Sequence, residues 1–250
     1  MYALVTGAGS GIGAAIAKRL SQDGYGIIAV GRRREPLEIL QRELATPVRV
    51  ITADLSTQED CFRLYQSVKD EPIQIVVNNA GFGVFGPFTE TDLGGELQMI
   101  GVNIQALHIL IKLFLKDFTA RNDGYILNVA SAAAFLPGPL FSSYYASKAY
   151  VLRLTEAIRE ELRRARKNVY IGALCPGPVD TQFNNVAGVA FSLPGLRADD
   201  VADYAVRRMY ARKAVIVPGI TMKLVRFFSK LVPDSIAARL AWYSQRRKLG

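Results

Sequence analysis

Short apolar runs alternate along the chain with longer segments in which apolar residues recur every three or four positions. The runs at 2–6, 26–30, 48–52, 73–78, 125–130, 170–175 and 215–218 are rich in β-branched and other apolar residues and read as strands. Between them, 12–21, 36–44, 59–69, 93–115, 143–167 and 199–211 carry helical spacing. A half-exposed strand would place a polar residue at every second position. Ile75-Val76-Val77 and Ile126-Leu127-Asn128-Val129 show no such alternation, so these strands are expected to be buried on both faces. The pattern predicts an α/β fold: a doubly wound, Rossmann-type, seven-stranded parallel sheet with helices on both faces, in a single domain. Gly- and Pro-rich stretches at 81–87, 136–139 and 176–196 read as long loops. In such a sheet, ligands bind where loops leave the carboxyl ends of the strands.

Composition narrows the class without changing the fold. Half of the 250 residues are hydrophobic and 21% are charged, which excludes a disordered or collagen-like chain. Cys61 and Cys175 lie far apart and the only histidine is His108, so neither a disulfide framework nor a metal site is expected, and a reducing cytoplasmic setting fits. Met1 leads directly into an apolar run and a glycine loop, which is not the pattern of a secretion signal. The apolar stretches break well short of the ~18 to 20 residues a spanning helix needs, so an integral membrane protein is not expected.

The net charge of +9 is uneven. Residues 221–250 hold Lys223, Arg226, Lys230, Arg239, Arg246, Arg247 and Lys248 against one acid, Asp234. No nucleic-acid-binding module accompanies this charge, so a nucleic acid partner is not expected. Leu224, Phe228 and Leu231 share one helical face in 222–232, and Pro233 interrupts the segment before Trp242 and Tyr243. We therefore divide 1–220, which carries the alternating pattern, from 221–250, a basic amphipathic extension of the same domain. Three settings stay open for the extension: an anionic membrane surface with the protein held peripherally, packing or a subunit contact, and a cover for the mouth of the site.

The first predicted strand runs into Thr6-Gly7-Ala8-Gly9-Ser10-Gly11-Ile12-Gly13 and then a helix. Glycines at a strand-to-helix junction let the backbone approach a pyrophosphate, whose charge is favoured by the exposed N–H groups opening the helix. The second strand ends Val30-Gly31-Arg32-Arg33-Arg34, with no carboxylate to accept from a ribose hydroxyl. A guanidinium there suits the extra phosphate of NADP(H), with Arg32 the leading contact and Arg33 the second. The competing reading is that the arginines merely solvate a helix start.

Further motifs follow in order: Asp54-Leu55 after the third strand, Asn78-Asn79-Ala80-Gly81 after the fourth, Asn103 on the next helix, Ser131 after the fifth strand, Tyr144-x-x-x-Lys148, and Pro176-Gly177-Pro178-Val179-Asp180-Thr181 after the sixth. Together with the glycine turn, over roughly 1–220, the chain resembles the classical short-chain dehydrogenase/reductase family. The resemblance implies an oxidoreductase that moves a hydride between NADP(H) and a carbonyl or secondary alcohol. It also implies a catalytic set of Asn103, Ser131, Tyr144 and Lys148. Asp54 and Leu55 would flank the adenine, Asn79, Ala80 and Gly81 would pack under the cofactor, and Pro176, Gly177, Val179 and Thr181 would lie near the nicotinamide. Family members usually form homodimers or homotetramers.

The chemistry is consistent with that set. Tyr144 and Lys148 are four apart and share a helix face, so the ammonium is expected to lower the phenol below its usual value of about 10. Ser131 would hydrogen-bond the substrate oxygen, and Asn103 would position a water relaying protons to Lys148. Tyr145 points about 100° away from Tyr144 and reads as packing or pocket lining. His108 lies in an apolar helix and reads as a packing or interface residue. Cys175 reads as a small hydrophobe, with a thiol facing the pocket as the alternative.

Segments 83–89, 132–141 and 183–193 supply Phe85, Phe88, Phe135, Leu136, Leu140, Phe141, Phe183, Val189, Phe191 and Leu193, which favour a small apolar carbonyl or alcohol substrate. The sequence thus points to reduction of an apolar ketone or aldehyde. Alcohol oxidation by the same groups and a non-catalytic dinucleotide-sensing scaffold remain as alternatives.

Overall fold

The computed structural model describes residues 1–181 and 195–246. Seven parallel strands form one sheet: β1 (Tyr2–Thr6), β2 (Gly26–Gly31), β3 (Val48–Thr52), β4 (Ile73–Asn78), β5 (Gly124–Val129), β6 (Val169–Leu174) and, for the short seventh strand, Val215–Ile216. Their spatial order is β3-β2-β1-β4-β5-β6 followed by that seventh strand, so the chain winds outward twice from β1. The central strands are apolar throughout because helices cover both faces.

On one face lie α1 (Gly11–Gln22), α2 (Arg34–Glu43) and the helix Ala198–Tyr210, packed on Val5, Ile27, Ile75 and Leu127. On the other lie α3 (Gln58–Val68), the long run from Leu93 to Arg121, and Ser142–Arg164, packed on Leu4, Ile28, Val76 and Ile126. Local sequence sets the helix ends: Thr57 accepts from the Asp60 N–H at 3.3 Å to start α3, and Asn122 adopts a left-handed φ of 57° to end the long run.

That run is three elements in line: α4 (Leu93–Ile100), a π-helical segment (Gly101–Ala106) and α5 (Leu107–Arg121). It extends six residues past the expected end at 115, because Phe114 and Phe118 continue the apolar stripe beyond the charges that seemed to close it. By length and composition it is long and apolar enough to cross a membrane, contrary to the expectation that every apolar stretch breaks early. Half of its apolar window is buried, with Leu107, Leu110, Ile111, Phe114 and Phe118 in the sheet core.

The next helix, α6 (Ser142–Arg164), stops short of 167. After β6 the stretch expected to be loop holds two short parallel strands, β7 (Val179–Asp180) and β8 (Leu196–Arg197), before α7 (Ala198–Tyr210) and the final sheet strand, β9 (Val215–Ile216). The extension forms α8 (Ile220–Phe228) and, after Pro233, α9 (Asp234–Arg246). Phe183, Val189, Phe191, Leu193, Arg247 and Lys248 lie outside the described residues.

Strand register positions the site. Val5 pairs with Val77, Asn78 with Asn128 and Val129 with Leu174, so β1, β4, β5 and β6 end in a row. Their loops emerge side by side at the crossover between β1 and β4, where such sheets open a crevice.

Candidate active site

Along that row of strand ends runs a cleft of about 770 Å³. At one end is the turn after β1. Thr6 Oγ1 accepts from the Asn79 and Ala80 N–H groups at 2.9 and 3.0 Å, while Asn79 Nδ2 donates to the carbonyls of Thr6 and Gly7. These bonds clamp the glycine turn to the loop after β4. A Cβ on Gly13 would stand 2.3 Å from the Gly7 carbonyl oxygen, so α1 approaches the turn as closely as it does only because residue 13 has no side chain. Gly7, Gly9, Ser10, Gly11 and Ile12 line the cleft, and Gly13 supports them from beneath. Ser10 precedes α1 without a side-chain cap bond to it, which leaves the first N–H groups of the helix open to an incoming anion.

At the end of β2, Arg34 pairs with Glu38 at 2.6 Å, whereas the exposed Arg32 and Arg33 line the cleft. Arg32 also lies 5.9 Å over the Phe82 ring. Leu55 lines the same wall. Asp54 does not: its carboxylate accepts from the Ser56 N–H at 3.0 Å and the Ser56 hydroxyl at 2.8 Å, and these bonds, with Arg32 nearby, hold it below the usual aspartate value. Asp54 therefore shapes the turn after β3 rather than the wall of the cleft. The donors present fit an anionic dinucleotide: a tight glycine cradle, a helix N-terminus, and two cleft-lining guanidinium groups.

At the far end stand Ser131, Tyr144 and Lys148, all lining the cleft. The Ser131 and Tyr144 side chains lie close enough for Ser131 to influence the phenol. Ser131 Oγ accepts from the Ala133 N–H at 3.1 Å, which fixes its rotamer. Phe141 stacks on the Tyr144 ring with centroids 4.5 Å apart, and Phe85 meets Phe141 edge-on. Burial raises the Tyr144 phenol above its ordinary value, while the neighbouring Ser131 hydroxyl pulls the other way. The expected lowering by Lys148 is not what the geometry provides. Lys148 Nζ donates to the Val129 carbonyl at 3.0 Å and lies 5.7 Å from the Tyr144 ring centre; burial drops its own value to about 8.

Asn103 lies behind the cleft, on the π-helical segment, and is fully enclosed. Its Oδ1 accepts from the Phe82 N–H at 3.1 Å, and its Nδ2 donates to the Phe82 carbonyl at 2.9 Å and to Ser147 Oγ at 3.0 Å. Ser147 Oγ in turn donates to the Tyr144 carbonyl at 2.7 Å. A Cβ on Gly81 would be 2.8 Å from Asn103 Oδ1 and 3.3 Å from Lys148 Nζ. Gly81 thus keeps a gap between the amide and the ammonium.

Asn79, Ala80, Gly81, Pro176, Gly177, Val179 and Thr181 all line the cleft. So do Leu136 and Phe141 among the apolar candidates, and Tyr145 beside them, but Phe88 is 66% exposed, Phe135 packs on the sheet core, and Leu140 is buried without lining the cleft. Cys175 is buried outside the cleft, its thiol pushed up to about 12 by burial. His108 is at the surface rather than packed, with Nδ1 2.7 Å from the Tyr150 hydroxyl.

The sequence reading missed Ser147, whose one signal is a small polar residue three after Tyr144 on the same helix. It also missed how the extension meets the cleft. Met222 and Val225 of α8 and Gln245 of α9 line it, and Gln245 Nε2 donates to the Tyr145 hydroxyl at 2.6 Å. The inner side of the extension therefore forms part of the cleft wall.

A doubly wound sheet with a glycine cradle at one end of its crevice and a Ser-Tyr-Lys group at the other defines the class of dinucleotide-dependent oxidoreductases. The short chain dehydrogenase family model matches residues 1–188, and the chain belongs to this family. An uncharacterized oxidoreductase of Staphylococcus epidermidis is 34% identical over 226 residues, covering 89% of this chain and 96% of that one. A short-chain dehydrogenase from Sphingobium yanoikuyae in complex with NADPH superposes with a TM-score of 0.83 at 28% identity, over 92% of this chain and 93% of that one. A short chain dehydrogenase/reductase from Burkholderia phymatum in complex with NAD superposes with a TM-score of 0.82 at 25% identity, over 90% and 91%. The chain is an oxidoreductase of a family whose structures hold nicotinamide dinucleotides of both kinds.

Proposed function

We propose that the protein is an NADP(H)-dependent reductase of apolar ketones or aldehydes, with Ser131, Tyr144 and Lys148 as its catalytic residues and Asn103 as a positioning residue. The observation that carries this reading is the Ser131–Tyr144 hydroxyl pair, lining the same cleft as the glycine cradle. A bound nicotinamide dinucleotide would supply the hydride. Ser131 Oγ and the Tyr144 hydroxyl offer two donors to one substrate oxygen, which stabilises the charge that develops there. Tyr144 then gives that oxygen its proton. Burial keeps the phenol protonated, so Tyr144 carries the proton that the reduced oxygen takes up.

Lys148, held by the Val129 carbonyl, keeps a cation beside the proton donor and the nicotinamide ribose position. Asn103 fixes the Phe82 backbone and, through Ser147, the first turn of α6, so it orients Tyr144 without touching the reacting atoms. Arg32 and Arg33 support NADP(H) over NAD(H), having no competing carboxylate at the strand end. Phe82, Leu136, Phe141, Tyr145, Met222 and Val225 give the substrate end an apolar wall.

We assign 1–220 to the catalytic unit and 221–250 to an extension that closes over it, in a cytoplasmic homo-oligomer. Spaced like one helix face, the exposed Leu93, Leu97 and Ile100 of α4 supply a surface for self-association. The test is a panel of bulky apolar ketones, aldehydes and secondary alcohols followed by nicotinamide absorbance. Oxidation of NADPH by apolar carbonyl compounds is expected; no turnover of any carbonyl compound or alcohol would overturn the reading.

A further inference from the structure

The two helices of the extension are folded with their large apolar residues outward. Successive residues of a helix turn by about 100°, which puts Ile220, Leu224 and Phe227 of α8 in one arc, with Phe228 at its edge and Leu231 continuing it in the following turn. All five are more than half exposed. The opposite side of α8 carries Met222, against Gly177, and Val225, in the cleft wall. α9 repeats the arrangement. Ala237 and Gln245 face inward and are buried, whereas Ile236, Leu240 and Tyr243 share the outer arc at 47%, 64% and 64% exposure. A surface helix of a water-soluble unit normally does the reverse.

Basic side chains border these arcs. Lys223 and Lys230 lie along one edge of the apolar arc of α8, Arg239 and Arg246 along one edge of that of α9, and all four are exposed, Lys223 with its ammonium 5.5 Å over the Tyr204 ring. The one acid in the described part of the extension is Asp234. An arc of exposed apolar residues edged by cations, repeated on two successive helices, is the signature of helices lying in a lipid interface. A second copy of the same face would set these lysines and arginines against each other, whereas an anionic surface complements them.

We propose that the outer face of α8 and α9 docks on the surface of an anionic phospholipid bilayer, with Leu224, Phe227 and Leu240 entering the acyl boundary and the basic rim contacting headgroup phosphates. Because the inner side of the same helices walls the cleft, docking sets the mouth of the site at the membrane. This inference rests on the exposed face alone and stands or falls independently of the catalytic reading.

The experiment is co-sedimentation of the full chain with vesicles of phosphatidylcholine alone and with vesicles containing about one-third phosphatidylglycerol, at low and high salt. Binding to the anionic vesicles, weakened by salt and slight on the neutral ones, is expected. The variant Lys230→Glu/Arg239→Glu should bind the anionic vesicles at least about tenfold more weakly. Leu224→Ser/Phe227→Ser/Leu240→Ser should release the protein even at low salt, and both variants should keep the wild-type melting temperature because the changed side chains are exposed.

Three results would overturn the proposal. They are no binding to anionic vesicles, binding that both variants leave unchanged, and an apolar triple variant that turns an oligomer into a monomer while the wild type ignores vesicles.

Discussion

Three arginines follow one another at the end of β2, and their surroundings separate them. Arg34 is occupied by Glu38, while Arg32 and Arg33 reach the cleft. A guanidinium that meets a phosphate through charge-assisted hydrogen bonds contributes about 1.5–3 kcal/mol. Arg32→Ala should therefore weaken NADPH binding about 10- to 100-fold, with NADH binding changed by no more than about threefold. Fluorescence titration with both nucleotides checks this, and equal losses would remove the phosphate contact from the account. Tyr144 and Lys148 depend on burial in opposite senses: the phenol is raised and the ammonium lowered, because each neutral form is easier to enclose. Their spacing was legible in the sequence because four residues of helix fix a shared face. Their titration was not, because it depends on enclosure by Phe141 and by the loops.

The strands were legible at the scale of elements because burial on both faces writes a continuous apolar run, and β1 to β6 fall within a residue or so of their expected limits. Shorter elements left no such trace: β7 and β8 are two-residue strands defined only by each other. The π-helical segment was equally silent, since its changed hydrogen bonding leaves the apolar spacing of α4 and α5 nearly intact. Its effect is nonetheless specific, for it carries Asn103 to the Phe82 backbone and to Ser147. Gly81 is the check on this element. Gly81→Ala would push a methyl group between Asn103 and Lys148. A displacement of that kind at a reacting centre costs about 100-fold in rate. The expected outcome is a fall of that order in kcat, with a smaller change in NADPH affinity and an unchanged circular dichroism spectrum. Wild-type kcat would show that the gap is not needed.

Across the whole molecule, parallel winding brings together residues that no local pattern connects: the cradle after β1, Ser131 after β5, Tyr144 on α6 and Gln245 at the end of the chain. The contact between Gln245 and Tyr145 spans 100 residues, and for that reason the sequence left the role of the extension open among three settings. The structure uses the inner side of α8 and α9 to wall the cleft and leaves the outer side apolar and basic.

All of this geometry converges on one transferable proton. The most direct measurement is single-turnover reduction by Tyr144→Phe, with NADPH affinity measured in parallel. Removing only the hydroxyl should lower the rate by about 10²- to 10⁴-fold and leave NADPH binding within about twofold of wild type. A rate within a few-fold of the wild type would contradict the account.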